Sequence, residues 1–212
     1  MDIIKIIIVD DYVIFRKGLR AILNEIDEIK VVGEASNGHE LFDLLKHVQA
    51  DVILMDIKMP IMDGVEATRR VAEKCPQTKV IALTMFEEIS YFNQMVEAGA
   101  DGFLLKKTNK DELQKAIQMV IIGETYFSEE FVSNATRINK PKKNICTIEL
   151  TEREQEVLEL ICKGQSNVEI AKYLGVSPRT IDGHRTHLLE KSGAKNAPQL
   201  VLYAIRNGLI KA

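Results

Sequence analysis

The chain has 212 residues, of which 46% are apolar and 28% charged, and its 28 basic and 31 acidic residues give a formal net charge of −3. This length and apolar content suffice for one large domain or two small ones with buried cores, and they exclude disordered and collagen-like chains. No apolar run approaches the roughly 18 residues that a membrane helix needs, and the acidic start does not resemble a signal peptide. We therefore expect a soluble cytoplasmic protein.

The cysteine pattern indicates neither a disulfide framework nor a zinc site. Cys75, Cys146 and Cys162 are an odd number and widely spaced, with no His or Cys at metal-ligand separations. We expect reduced structural thiols.

The charge distribution divides the chain. Residues 1–127 carry 15 basic and 21 acidic residues, 128–146 carry 4 and 2, and 147–212 carry 9 and 8. The middle segment has no hydrophobic period and contains a basic stretch interrupted by Pro141, which is typical of a linker. We predict a first domain at 1–125, a linker at 126–146 and a second domain at 147–212.

The first domain alternates two patterns. Short apolar runs rich in Ile and Val predict buried strands, and amphipathic stretches between them predict helices. Such alternation predicts an α/β domain of five βα units, a doubly wound parallel sheet. The strand-like runs are Ile3 to Val9, Lys30 to Val32, Val52 to Met55, Val80 to Leu83 and Gly102 to Leu105, and the clearest amphipathic stretches are Arg16 to Leu23, Glu40 to Val48 and Asp111 to Ile122.

The second domain shows only helical signals, so we predict an all-α domain of four helices. Capping boxes at Thr151 and Ser166 begin the first two helices, and Ser177 with Pro178 begins the third. Gly164 and Gly175 stand where the first two helices would end. The predicted spans are 152–163, 167–174, 178–190 and about 197–207.

Polar residues follow the predicted strands of the first domain. Asp10 and Asp11 follow the first strand, Asp56 the third, Thr84 ends the fourth and Lys106 follows the fifth. Because the carboxyl ends of parallel strands open onto one crevice, we expect these side chains to lie together. Three converging carboxylates repel one another unless a cation is present, and Mg²⁺ prefers such oxygen ligands while keeping waters.

This series of residues, with Met59-Pro60-Ile61-Met62-Asp63-Gly64 after Asp56, resembles the flavodoxin-like receiver domain of response regulators. The resemblance implies that Asp56 accepts a phosphoryl group from a sensor histidine kinase. It further implies that Asp10, Asp11, Asp56 and the backbone carbonyl of Lys58 hold Mg²⁺, and that Lys106 neutralises charge on the transferring group. Thr84 would then move toward the phosphoryl oxygens and Phe103 would fill the space. Asp63 is interpreted as a helix cap.

The second and third helices of the second domain, joined by a short turn with Gly175, match a helix-turn-helix. The block from Leu150 through Ile170-Ala171, Val176 to Ile181 and His184 to Leu209 resembles the LuxR-type DNA-binding domain. Together with the receiver, it places the chain with NarL/FixJ-class response regulators. The resemblance implies a phosphorylation-controlled transcription factor that binds promoter DNA as a homodimer, with no metabolic enzyme activity beyond its own phosphoryl transfer and autodephosphorylation.

The third helix of this domain carries the candidate DNA contacts. One helical stripe holds Arg179, Asp182, Gly183 and Thr186. Asp182 departs from the family, where a long polar side chain is common, and Gly183 offers no side chain at all. The full set of candidates is Arg179, Thr180, Asp182, Gly183, Arg185, Thr186, His187 and Lys191, with Lys195 nearby. In the last helix, Ala197, Leu200, Val201, Ala204 and Ile205 form either a dimer surface or intradomain packing.

Three other functions fit parts of this pattern. A phosphatase of the haloacid-dehalogenase kind also uses an Asp nucleophile and Mg²⁺, but it wants a second Asp where this chain has Lys58. A nucleotide- or flavin-binding domain lacks support because no Gly-rich loop follows the first strand. An adaptor whose helical domain binds protein instead of DNA draws support from Asp182 and Gly183.

Overall fold

The computed structural model describes residues 3–85, 91–128, 130, 132, 133, 136 and 148–210. The chain forms two compact units, Met1–Gly123 and Glu124–Ala212. Most of the predicted linker at 126–146, including Cys146, lies outside the described residues, so the domain boundaries given above remain predictions.

The first unit has the predicted α/β architecture. Its strands pair in parallel in the order β2-β1-β3-β4-β5, the order of flavodoxin-like doubly wound sheets. The strands are β1 (Ile4–Val9), β2 (Ile29–Ala35), β3 (Val52–Asp56), β4 (Lys79–Thr84) and β5 (Gly102–Leu105), and the helices are α1 (Val13–Leu23), α2 (Gly38–Leu45), α3 (Gly64–Lys74), α4 (Phe92–Ala98) and α5 (Lys110–Ile121).

Hydrophobic burial and helix caps explain these elements. All five residues of β3 are buried, as expected for a central strand that is covered on both faces. The side chains of Asn37, Asp63 and Asn109 accept backbone N–H groups at the starts of α2, α3 and α5. Asp63 is thus the helix cap that the sequence predicts, with its Oδ1 2.8 Å from the backbone nitrogen of Glu66.

The strand register brings the polar strand ends together. Val9 of β1 lies opposite Met55 of β3. Asp10 and Asp56 come directly after these two paired residues. Thr84 lies opposite Leu105, which places Lys106 directly beyond the end of β4. The backbone N–H of Lys106 donates to the carbonyl of Thr84 at 2.9 Å, which holds the two chain segments side by side.

The second unit contains the four predicted helices. They are α6 (Glu152–Cys162), α7 (Asn167–Leu174), α8 (Pro178–Ser192) and α9 (Ala197–Arg206). Both predicted capping boxes are present, and Gly175 ends α7 in the left-handed conformation with φ of 66°. Helix α8 continues two residues beyond the predicted end, to Ser192, and stops where Gly193 adopts positive φ.

A short strand precedes these helices and is absent from the sequence prediction. The strand β6 comprises Tyr126–Phe127, both buried, at the start of the predicted linker. Two residues are too few to show a strand period, so the sequence carries no signal for it. The carbonyl of Phe127 packs so closely against Gly164 that a Cβ at this glycine would lie 2.7 Å from the oxygen.

The core of the second unit includes the apolar residues of α9. Ala197, Leu200, Val201, Ala204 and Ile205 are all buried within the unit, which accounts for them as intradomain packing. Cys162 is buried here too, and burial raises the pKa of its thiol far above the ordinary range. Cys162 and Cys75 are both free thiols. Among the described helices, none has the length and apolar character required to cross a bilayer.

Candidate functional site

Three aspartates meet at the carboxyl ends of β1 and β3. Asp10 and Asp56 are buried, Asp11 is half-buried, and one oxygen from each carboxylate lies within 4.8 Å of the other two. The sequence predicted this convergence from the strand ends alone. A cluster of hard oxygen donors with two buried members is the donor set that Mg²⁺ takes in proteins, so these residues fit that ion.

Backbone groups orient two of the carboxylates. The N–H of Tyr12 donates to Oδ1 of Asp10 at 2.9 Å, and the N–H of Ile57 donates to Oδ1 of Asp56 at 2.9 Å. Each aspartate therefore bonds to the backbone that follows its strand, and this local geometry fixes the direction of the remaining oxygen. The site is built by the strand ends themselves rather than by a long loop.

Lys106 bridges the acidic cluster from β5. Its Nζ lies 2.8 Å from Oδ2 of Asp10 and 2.8 Å from Oδ1 of Asp56. Burial lowers the pKa of the Lys106 ammonium, but hydrogen bonds to both carboxylates and their charges outweigh this and hold the pKa above its ordinary value. The ammonium thus stays charged at neutral pH and partly neutralises the two buried acids.

The cluster opens into a cleft of about 550 Å³. Lys58 is among the residues that line this cleft. Met85 and Lys107 line it as well, together with Tyr12 and Phe15, which the sequence did not single out. The Lys106 Nζ lies 5.1 Å from the centroid of the Phe15 ring, which is a cation–π contact.

The two predicted switch residues, Thr84 and Phe103, are buried on neighbouring strands. The Thr84 hydroxyl donates to the backbone carbonyl of Met85 at 3.0 Å. The Phe103 ring packs edge-on against Phe92 of α4, with 4.7 Å between ring centroids and planes at 85°. This contact links strand β5 to helix α4.

Helix α8 presents most of the predicted DNA contacts to solvent. Arg185 alone among them is half-buried, and its Nη1 donates to Oδ1 of Asn167 at 2.6 Å. The Thr186 hydroxyl donates back to the carbonyl of Asp182 at 3.0 Å. The exposed residues are Arg179, Thr180, Asp182, Gly183, Thr186, His187 and Lys191. Because it bonds to Arg185, Asn167 lies beside the candidate DNA contacts of α8, a position that no sequence motif predicted.

Lys191 takes part in an ion pair inside the unit. Its Nζ lies 2.6 Å from Oε2 of Glu154 and 3.1 Å from the carbonyl of Glu149. Glu154 is also the capping-box partner of Thr151. The hydrogen bond from Lys191, followed by those from Thr151, lowers the pKa of Glu154 to about 2 against the opposing effect of burial. The structure thus places Lys191 as a link between α6 and α8.

Comparison with protein families agrees with both units. Residues 6–118 match the response regulator receiver domain. The chain belongs to the response-regulator family. Residues 149–204 of this response regulator match the luxR family of bacterial regulatory proteins, so it carries a LuxR-type DNA-binding domain after its receiver.

Several known proteins match this chain over nearly its whole length. The response regulator is 38% identical to the oxygen regulatory protein NreC of Staphylococcus aureus over 216 residues, covering 98% of this chain and 99% of NreC. It resembles the crystal structure of the response regulator ChrA of a heme-sensing two-component system (TM-score 0.56, 31% identity, 99% and 100% of the two chains). It also resembles RcsB in a structure of two RcsB dimers bound to two parallel DNAs (TM-score 0.60, 28% identity, 95% and 98%).

Proposed function

We propose that this response regulator accepts a phosphoryl group on Asp56 from a sensor histidine kinase and that the modification changes its dimerisation and its binding to promoter DNA. The observation that carries the proposal is the acidic cluster of Asp10, Asp11 and Asp56 with the Lys106 ammonium 2.8 Å from two of its members. That cluster occurs in a chain that also carries a LuxR-type DNA-binding domain.

The chemistry is a single displacement at phosphorus. A carboxylate oxygen of Asp56 attacks the phosphorus of a phosphoimidazole, the P–N bond breaks, and an aspartyl phosphate forms. Phosphoryl transfer needs positioning and charge neutralisation more than covalent assistance from the protein. Ile57 orients the Asp56 carboxylate through its backbone N–H, and Lys106 places a positive charge beside it.

Asp10, Asp11, Asp56 and the backbone carbonyl of Lys58 are the proposed ligands of Mg²⁺. When bound, this ion supplies positive charge for the oxygens of the transferring group. The carboxylates of Asp10 and Asp11 bring no reacting atom of their own; their role is to hold that charge beside Asp56. The 550 Å³ cleft beside these carboxylates is open to a phosphoryl group.

Thr84 and Phe103 are the proposed switch. The Thr84 hydroxyl already has a partner, the carbonyl of Met85, so turning toward a phosphoryl oxygen exchanges one hydrogen bond for a charge-assisted one. Phe103 packs on Phe92 of α4. If Phe103 moves when Thr84 turns, the movement changes the packing of that helix. Through this contact, the charge of a phosphoryl group on Asp56 would shift the balance between two arrangements of α4.

The exposed residues of α8 are the proposed DNA contacts. Arg179, Thr180, Gly183, Thr186 and His187 lie on the solvent side of the helix. The side chains of Arg179, Thr180, Thr186 and His187 suit phosphate and base-edge contacts, whereas Gly183 offers only its backbone, and the helix is the second of the helix-turn-helix pair. Because residues 147–212 carry 9 basic and 8 acidic residues, a single copy has little attraction for DNA, and a homodimer would double the contacts.

The test is enrichment of DNA from a fragmented genomic library at near-physiological salt. The native chain is assayed with and without acetyl phosphate and Mg²⁺, beside Asp56→Asn and the control Asp43→Asn, which changes an exposed acid on α2. We expect enrichment that depends on the phosphodonor for the native chain and the control, and none for Asp56→Asn. Enrichment that ignores the phosphodonor contradicts receiver control, and no enrichment under any condition contradicts DNA binding and favours the adaptor function.

A further inference from the structure

Three side chains join the helix-turn-helix at one point. Asn167 is the first residue of α7, and its Nδ2 donates to Oδ1 of Asp182 at 2.5 Å while its Oδ1 accepts from Nη1 of Arg185 at 2.6 Å. Asp182 and Arg185 stand one turn apart on α8, so they lie on adjoining parts of the same face. The Asn167 carboxamide thus connects the start of α7 to the middle of α8.

The chemistry of the three groups allows only one arrangement. A carboxylate only accepts hydrogen bonds and a guanidinium only donates them, whereas a carboxamide does both. The Asn167 amide must therefore turn its nitrogen to Asp182 and its oxygen to Arg185. Both bonds involve an ionised partner, which makes them stronger than bonds between neutral groups. An alanine at this position would break both.

The surroundings of Arg185 are acidic. Glu124 accepts the backbone N–H of Asn167 with its two carboxylate oxygens at 3.1 and 3.2 Å. Burial lowers the pKa of the Arg185 guanidinium, and the charges of Glu124 and Asp182 act in the opposite direction. An arginine remains protonated in any such environment, so Arg185 carries its charge among these acids.

An acid on the DNA-facing side of a recognition helix is otherwise unfavourable. A free Asp182 would repel the phosphates that the neighbouring basic residues attract. Arg185 is half-buried and already committed to Asn167, so it is poorly placed to reach DNA. Both the acid at position 182 and the half-buried arginine at position 185 are explained if Asn167 connects them and the charge of Arg185 offsets that of Asp182.

We propose that Asn167, Asp182 and Arg185 form a clamp that positions α8 against α7 and neutralises Asp182. In this arrangement Asp182 and Arg185 are positioning residues, which govern DNA binding without contacting DNA. The inference rests on the proposed DNA-binding function. It assigns no base preference to Asp182, and it leaves direct contact to the exposed residues Arg179 and Thr186 and their neighbours.

The test uses full-length phosphorylated protein and random-sequence DNA duplexes over a range of salt concentrations. The variants are Asp182→Asn, Arg185→Ala and the double variant, with Arg179→Ala as the exposed arginine for comparison. The Asp182→Asn change removes the charge while retaining an oxygen that Asn167 can donate to. The slope of log affinity against log salt counts phosphate contacts, at about 0.9 per contact.

We expect Arg185→Ala alone to lower affinity about tenfold, since it removes the positive charge that offsets the charge of Asp182 beside the phosphates. In the D182N background the same change should alter affinity by less than about twofold and leave the salt slope unchanged. Arg179→Ala should reduce the slope by about 0.9 for each bound copy, in both backgrounds. A slope that falls with Arg185→Ala in the D182N background overturns the clamp, because it makes Arg185 a phosphate contact.

A second measurement separates failure of the clamp from failure of DNA binding. Asn167→Ala and Asp182→Ala should lower the thermal unfolding midpoint by similar amounts, and the double variant should lose little more than either single one. Additive losses overturn the clamp even where DNA binding is intact. If the native phosphorylated chain binds no duplex, the proposed function fails and with it the effect on DNA, whereas non-additive unfolding would still support the coupling of Asn167 to Asp182 within the clamp.

Discussion

The ammonium of Lys106 lies 2.8 Å from a carboxylate oxygen of Asp56, and it lies equally close to Asp10. One cation therefore pairs with two buried acids that stand at the ends of different strands. The lysine comes directly after β5, at a position fixed by pairing of Leu105 with Thr84. Loss of this ammonium would leave the carboxylates of Asp10 and Asp56 close together, with less positive charge to offset their mutual repulsion.

Substitution of Lys106 by methionine keeps the length of the side chain and removes its charge. We expect the rate of phosphorylation of Asp56 by acetyl phosphate to fall by about 100-fold, the usual effect of deleting one group that stabilises transition-state charge. The rate is measured by separating phosphorylated from unmodified chain on a phosphate-affinity gel. Lys107→Met, at the neighbouring position of the same cleft, should retain at least half the native rate. Equal effects of the two changes would mean that only the general charge of the cleft matters.

Binding of Mg²⁺ should depend on Asp11 but not on Asp63. Asp11→Asn removes a charged oxygen from the three-carboxylate cluster, and we expect the Mg²⁺ affinity measured by calorimetry to fall at least about tenfold. Asp63→Asn is the matched control, because asparagine caps a helix as well as aspartate does. A chelator should abolish phosphorylation of the native chain. Unchanged Mg²⁺ affinity in Asp11→Asn would exclude Asp11 as a ligand.

Two glycines of the first unit should respond oppositely to alanine. A Cβ at Gly64 would lie 2.0 Å from the backbone carbonyl oxygen of Asp56, and no side-chain rotation relieves that overlap. We expect Gly64→Ala to destabilise the receiver by about 3 kcal/mol or more. A Cβ at Gly18 would meet no atom within 4 Å, so Gly18→Ala within α1 should stabilise by about 0.5–1 kcal/mol. Thermal unfolding midpoints give both signs, and a harmless Gly64→Ala would contradict the close approach of α3 to β3.

The charge of Glu154 should stabilise the helical unit in a pH-dependent way. Its pKa is about 2 in the folded chain against 4.5 ordinarily, so its contribution is complete above pH 4.5 and is lost as the pH falls toward 2. Glu154→Gln keeps a capping-box side chain and removes the charge. We expect its thermal midpoint, followed by circular dichroism, to lie below the native value at neutral pH and to converge with it near pH 2. Glu156→Gln, which breaks the more exposed pair with Arg153, should differ little at any pH.

Thr84 should couple phosphorylation to DNA binding without being needed for phosphorylation itself. Thr84→Ala removes the hydroxyl, and we expect the phosphorylated fraction to stay within about twofold while the phosphodonor-dependent enrichment of DNA is lost. Thr84→Ser retains the hydroxyl and should retain most of the response. Enrichment by Thr84→Ala equal to that of the native chain would remove Thr84 from the switch.

Local sequence signals predicted most elements and the acidic site. The continuous burial of β3, the two capping boxes and the left-handed Gly175 follow from residue types at short spacing, and the structure confirms each of them. The convergence of Asp10, Asp11 and Asp56 was predictable because parallel strands present their carboxyl ends at one edge. Strand β6 could not be predicted, since Tyr126 and Phe127 are too few to form a pattern.

The sequence by itself therefore determined the two kinds of domain, the order of their elements and the residues at the strand ends. Only the tertiary structure decided which partners the side chains of the helical unit take. Asn167 meets Asp182 and Arg185 across 15 and 18 residues, and Lys191 meets Glu154 across 37. The physical reason is that helix caps and hydrophobic periodicity depend on residues that are close in the sequence, within one turn or one strand. These polar contacts depend instead on how one helix packs against another, which no local spacing encodes.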